Sequence, residues 1–249
     1  MTADADLIAA AHTWIEGDPD PETRGELLAI VDSGDLHELG ERMAGMLQFG
    51  TAGIRGAVEA GSNRMNRAVV IKTTRGLADW LLARYETPTV VIGADARLSS
   101  RTFLEDAIGV LAAAEVQVRY IDDVVPTPIV AFASRELASE AAVVITASHN
   151  PPQDNGYKVY ADNHAQIVPP TDSEIAAAIG AVGPANQVPR LEWSESVASQ
   201  LTEEIPASMV EAYDSTSASM RSASGDDAYR LVYTPLHGVG GEHVVRQLA

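Results

Sequence analysis

Residues 146–158 read "TASHNPPQDNGYK", a serine beside a histidine, then two prolines, with a lysine closing the stretch. Ser148 is a candidate nucleophile, and its neighbours decide which electrophile it could meet. The Gly-x-Ser-x-Gly elbow of serine hydrolases is absent, because Ala147 and His149 flank the serine. A histidine adjacent in sequence usually points away and is not thereby the serine's base. Lys158 is a point charge suited to a phosphate. Arg55, in "GTAGIRG", lies among Gly50, Gly53 and Gly56, which let backbone approach an anion closely. Arg97, in "DARLSS", either joins them or forms a surface pair with Asp95. Gathered around Ser148, Arg55, Arg97 and Lys158 favour phosphoryl over acyl chemistry.

That charge stands out against the rest of the chain. The 249 residues carry 35 acids and 17 bases, a formal net charge of −18. Such a surface repels nucleic acid and anionic membranes, so neither is an expected partner. It repels phosphorylated metabolites too, unless bases are gathered locally. Only Lys72 and Lys158 are lysines, and the chain has no cysteine, which excludes disulfides and thiolate catalysis. The six histidines show no metal-ligand spacing. An acidic N-terminus and the lack of a long apolar run point to a cytoplasmic protein.

Elements that would hold these residues can be read from periodicity. Residues 1–47 are helical in character. The glycine-rich segment 49–66 reads as loop plus a short strand. Asn66 caps a helix in which Val70, Thr74, Leu77, Leu81 and Tyr85 recur at helical spacing. "TVVIG", "VQVRYI" and "AAVVITA" are apolar strands separated by helical stretches, one capped by Ser99 or Ser100, another following the Pro126–Pro128 turn. This alternation predicts an α/β domain with a mostly parallel mixed sheet sandwiched by helices. Ligands gather beyond the carboxyl ends of such strands, where "GADARLSS", "DDVVPTP" and "SHNPPQDNGYK" leave the sheet. The expected organisation is a helical extension over 1–47, the α/β domain over 48–190, a connecting helix and linker over 191–227, and the start of a second, similar α/β domain over 228–249. The Ser/Ala/Asp-rich run 214–227 reads as linker, and "YRLVYTPLHGVGGEHVVRQLA" as a strand, a turn and a helix start.

These residues carry a resemblance. "TASHNPPQDNGYK" resembles the phosphoserine loop of the α-D-phosphohexomutases, which include phosphoglucomutases and phosphomannomutases. "FGTAGIRG", "GADARLSS", "PTP" and "YTPLHGVGG" are similar to that family's other loops and occur in the same order. "DPDPETR", "RMN…TTRG" and "QDNGYKVYADNHAQI" point to the phosphoglucomutase-2/phosphopentomutase branch, and the likeness runs from about Trp14 onward.

The resemblance implies a mutase that moves a phosphoryl group between C1 and C6 of glucose, or C1 and C5 of a pentose, through a phosphoserine and a bisphosphorylated intermediate. Carried across by motif, Ser148 is the phosphoryl carrier, and His149, Arg55 and Lys158 complete the catalytic set. Thr51, Gly53, Thr146, Asn150, Asn155, Gly156, Asp95 and Arg97 fall in the loops that hold the phosphate. The implied cofactors are Mg²⁺, bound through the phosphate on Ser148, and a glucose 1,6-bisphosphate-type activator. The other magnesium ligands belong to an Asp-Gly-Asp-x-Asp-Arg loop that this sequence lacks. Asp122–Asp123 and Asp226–Asp227 do not replace it and read as solvated turn acids. The expected partners are a phosphorylated hexose or pentose and the missing C-terminal domains of the same enzyme, so the chain is expected to be an N-terminal fragment, inactive alone. The alternative is a non-catalytic phosphosugar-binding module that retains the serine loop.

Overall fold

A computed structural model describes residues 2–50, 53–220 and 230–248. Its centre is a six-stranded sheet in the order β1-β5-β4-β2-β3-β6. The strands are β1 (Ile54–Ala57), β2 (Thr89–Ala94), β3 (Gln117–Val124), β4 (Ala141–Ile145), β5 (Asp154–Tyr160) and β6 (Thr202–Glu204). β4, β2, β3 and β6 run parallel, while β5 is antiparallel to both β4 and β1. The fold is therefore α/β with a mostly parallel mixed sheet.

Strand alternation supplies two buried faces. Val90, Ile92, Val143 and Ile145 pack against α4 (Arg67–Leu82), α5 (Ser100–Ala113) and α7 (Thr171–Ala181). Val91, Ala142 and Val144 face the other way, toward α6 (Thr127–Glu136), with α9 (Ala207–Ser219) beside it. The periodic positions Val70, Thr74, Leu77 and Leu81 are buried on α4, and the Asn66 Oδ1 caps that helix by accepting from the Val69 N–H at 3.0 Å. Tyr85, the last position of the expected stripe, lies beyond the helix end and is half-exposed.

The N-terminal segment forms α1 (Thr2–Gly17), α2 (Pro21–Ser33) and α3 (Leu36–Arg42). Arg42 fastens this layer to the α/β domain. Its side chain is 9% exposed and pairs with Glu26 and Glu38 at 2.6 Å and with Glu59 at 3.4 Å.

Several expectations are corrected. The stretch after the two prolines is not all loop: from Asp154 the chain is β5, so Lys158 sits on a strand held between two others. The Ser/Ala-rich segment begins inside α9, and its residues 221–227 lie outside the described residues, as do Asp226–Asp227 and the first residues of the expected second domain. Residues 230–235 pair with no strand among the described residues, and the only regular element described after them is α10 (Gly241–Leu248). Asp122 is not a free turn acid, because it lies on β3 and pairs with Arg101 at 2.6 Å. β6 is short enough to escape periodicity, yet it extends the sheet through Val118–Thr202 pairing.

Candidate active site

β4 ends at Ile145 and the chain returns along β5, so residues 146–153 form the connection of an antiparallel pair. The Thr146 N–H donates to the Gly156 carbonyl at 3.0 Å and closes the base of that loop. At its tip Ser148 is exposed and adopts a left-handed backbone conformation, φ 56°. Few non-glycine residues occupy that region without support from their surroundings. Here the Ser148 N–H donates to the Thr146 Oγ1 at 2.9 Å, and the Asn150 N–H donates to the Ala147 carbonyl at 3.0 Å.

Most of the support comes from another loop. Arg97, after β2, donates from Nη1 to the carbonyls of Pro151 and Asp154, both at 2.7 Å. From Nη2 it donates to those of Ser148 at 3.0 Å and Asn150 at 2.9 Å. Its Nε stands 3.3 Å from Asp95, and the side chain is 13% exposed. The guanidinium is thus occupied by the serine loop's backbone. Asp95 is fixed in turn, accepting at Oδ1 from the Arg97 N–H at 3.0 Å and from the Ser100 Oγ at 2.7 Å. Asn155, fully buried, donates to the hydroxyls of Ser99 at 2.8 Å and Ser100 at 3.1 Å. Ser99 stands at the N-cap of α5 but makes no capping bond, its hydroxyl being engaged by Asn155.

Two glycines let β1 and β5 come together. A Cβ on Gly156 would lie 2.7 Å from the Thr146 carbonyl oxygen and 2.9 Å from that of Ile54. Gly53, at φ 93°, would drive a Cβ into the Tyr157 carbonyl. The register pairs Arg55 with Gly156. Residues opposite one another share a face, and so do positions i and i+2 of a strand, so Arg55 and Lys158 lie diagonally on one face with side-chain-free Gly156 between them.

The two cations differ in their surroundings. Arg55 is exposed, and its Nη1 donates to the Asn150 Oδ1 at 3.5 Å, a long contact. The Asn150 Nδ2 donates to the Asp154 Oδ2 at 2.8 Å, so this amide links β1, the loop and the start of β5. Lys158 is half-buried, with no hydrogen bond or ion pair among the described residues. Burial lowers its ammonium below the ordinary lysine value, with Asp95 opposing and Arg55 reinforcing the shift. A cation this poorly solvated gains from an arriving anion.

The serine–histidine pair is long and unsupported. The Ser148 Oγ lies 3.5 Å from the His149 Nδ1, at the limit of a hydrogen bond, and no described group orients the ring from its other side.

Hydrogen bonds link Arg55, Asp95, Arg97, Ser148, His149, Asn150 and Thr146 around the loop. Register and close approach bring Gly53, Gly156 and Lys158 to the adjoining strands, Asn155 anchors to Ser99 and Ser100, and Thr51 lies outside the described residues. Sequence reasoning missed Asp154, which holds Asn150, and the paired hydroxyls of Ser99 and Ser100, which hold Asn155. The Asn-Pro-Pro-x-Asp spacing is the signal that could have found Asp154.

No three His, Asp or Glu side chains among the described residues stand close enough together to hold a metal ion. Asp95 and Asp154, the carboxylates nearest the serine loop by hydrogen bonding, are engaged by Arg97, Ser100 and Asn150. The described residues alone thus do not fit a divalent cation. No helix among them is long and apolar enough to cross a membrane.

The site is thus an exposed serine on a strand-exit loop of an α/β/α sandwich, with Arg55 and Lys158 on the adjoining strands. Residues 46–184 match the family model described as "Phosphoglucomutase/phosphomannomutase, alpha/beta/alpha domain I", and the chain belongs to that family of mutases. It is 34% identical over 96% of its length to a phosphoribomutase of Saccharomyces cerevisiae, and 35% identical over 97% to a phosphopentomutase of Mus musculus. It spans only 40% and 41% of those proteins. The crystal structure of a phosphomannomutase-type protein from Thermus thermophilus superposes with a TM-score of 0.58 at 26% identity, over 70% of this chain and 36% of that one.

Proposed function

We propose that Ser148 carries the phosphoryl group of a phosphosugar mutase acting on a hexose or pentose monophosphate. The observation that carries this reading is the exposed, left-handed Ser148 on a loop that Arg97 holds through four backbone carbonyls, with Arg55 and the unpaired Lys158 on one face of the adjoining strands.

Phosphoryl transfer asks mainly for positioning and charge neutralisation. In the loading step the Ser148 Oγ attacks a phosphorus of a sugar bisphosphate. The new P–Oγ bond forms as the P–O bond to the sugar breaks, and the hydroxyl proton of Ser148 ends on the sugar oxygen. In the return step a hydroxyl of the sugar monophosphate attacks the phosphoserine, and the proton passes back to Oγ. Arg55 and Lys158 offset charge on the transferring group, and the Lys158 ammonium can lend a proton to the departing oxygen. A phosphoserine bears a charge of about −1.5 to −2 at neutral pH, which suits a face carrying two cations. Mg²⁺ would have to find ligands beyond the described residues.

Two probes separate this reading from a serine hydrolase. Intact-mass measurement after incubation with glucose 1,6-bisphosphate and Mg²⁺ should show one added phosphoryl group, while a fluorophosphonate should leave the chain unlabelled. Fluorophosphonate labelling at Ser148 with no phosphoryl adduct would reverse the assignment.

A further inference from the structure

The chain's other lysine lies away from the serine crevice. Lys72, on α4, is half-buried and makes no hydrogen bond or ion pair among the described residues. Burial alone lowers its ammonium below the ordinary lysine value, with no charged neighbour contributing. In a chain with 35 acids, a half-buried ammonium with no ion pair among the described residues stands out.

Lys72, Trp14 and Ala68 wall two cavities in common. The larger, about 380 Å³, lies between α1, contributing Ala10 and Thr13, and the turn after α7, contributing Val182 and Pro184. The smaller, about 60 Å³, is lined mainly by apolar side chains, among them Leu47, Phe49 and Ile179. Among the described residues, Lys72 is the only charged one lining either cavity. The larger volume falls within the range of small-ligand sites, and such sites are mostly apolar with few polar groups fixing orientation.

The chemistry narrows the occupant. A phosphate carries more charge and more acceptors than one lysine among apolar walls can satisfy. A carboxylate brings one negative charge, and its hydrocarbon body finds apolar surface to cover. We propose that the cavity between the N-terminal helices and α4 binds a small amphipathic monocarboxylate, its charged end on the Lys72 Nζ and its hydrocarbon within the walls shared with Trp14.

Two lysines make the test direct. Reductive ¹³C-dimethylation keeps the charge and yields one signal each from Lys72 and Lys158, besides the chain's amino terminus. Titration with hexanoate should move the Lys72 signal saturably and leave that of Lys158 in place. Hexan-1-ol, matched in length but neutral, should bind at least about tenfold more weakly. Lys72→Met, assayed by calorimetry on unmodified protein, should weaken hexanoate by a similar factor. The proposal is overturned by a Lys72 signal that does not move, by Lys158 moving in step with it, or by hexan-1-ol binding as tightly as hexanoate. The comparison of ligands on the parent chain stands by itself if the variant does not fold.

Discussion

Removing Arg97 should uncouple the order of the serine loop from the stability of the fold. Two of its four carbonyl bonds, to Asp154 and Asn150, are part-buried, and two, to Pro151 and Ser148, are exposed. Hydrogen bonds from a charged group contribute about 1.5 kcal/mol or more where water is excluded, and about 0.5 kcal/mol is reasonable where it is not. Together they favour the ordered loop by about 4 kcal/mol. Ordering residues 148–153 costs on the order of 1 kcal/mol each in backbone freedom, so Arg97 offsets much of it. In Arg97→Ala the loop opens while the rungs of β4 and β5 survive. Tm should then fall by less than about 4 °C, since local opening replaces global unfolding. If water recovers about 1 kcal/mol, the closed-to-open ratio of the loop falls by about 3 kcal/mol, or about 100-fold; because the ordering cost leaves the parent loop near balance, phosphoryl loading from glucose 1,6-bisphosphate slows by about that factor. Hydrogen exchange across 147–153 should rise sharply. Arg97→Lys should rescue little, because an ammonium cannot reproduce a planar fork that spans separate carbonyls. Exchange and loading in Arg97→Ala within about threefold of the parent would refute the reasoning, the predicted change being near 100-fold.

Lys158→Met should raise Tm while lowering phosphoryl loading, because it removes a poorly solvated ammonium. The folded-state amine is shifted below its ordinary value, so parent stability rises with pH from that lowered value toward about 10.5, and the variant's advantage should fade over the same window in pH-dependent melting. Lys158→Ala should likewise lose far more loading than stability, and comparable losses of both would count against a catalytic role. Gly156→Ala forces a Cβ to 2.7 Å from the Thr146 carbonyl and should cost about 1–3 kcal/mol, read as a Tm drop of about 2–12 °C. Arg42→Ala leaves Glu26, Glu38 and Glu59 facing one another at the base of the N-terminal layer. It should cost about 1–3 kcal/mol, less than a fully buried pair because those acids are partly exposed, with faster exchange in α1 to α3.

How much of this was legible depends on the range of the interaction. Local signals read well: Asn66 caps α4, apolar runs give β2, β3 and β4, and the serine loop leaves β4 as its position demanded. β5 was hidden by turn-forming residues, since "PPQDNG" promises a loop until pairing with β1 and β4 makes a strand of its second half. Arg97 was legible as a cation near the site but not in what it binds. Its partners lie more than 50 residues away and are backbone carbonyls, which no residue type announces. The scarcity of lysine points to Lys158. Its place beside Arg55 across Gly156 needed the register. Where the expected second domain opens, residues 230–235 form no strand among the described residues, because an apolar run makes a strand only where a sheet edge receives it.

The central claim is that Ser148 accepts a phosphoryl group. It is tested most directly by peptide mapping of the chain after incubation with glucose 1,6-bisphosphate and Mg²⁺, in parallel with Ser148→Ala. One phosphoryl group on Ser148 in the parent, and none in the variant, is the predicted result. A phosphoryl group on another residue, or one that persists in Ser148→Ala, would contradict the account.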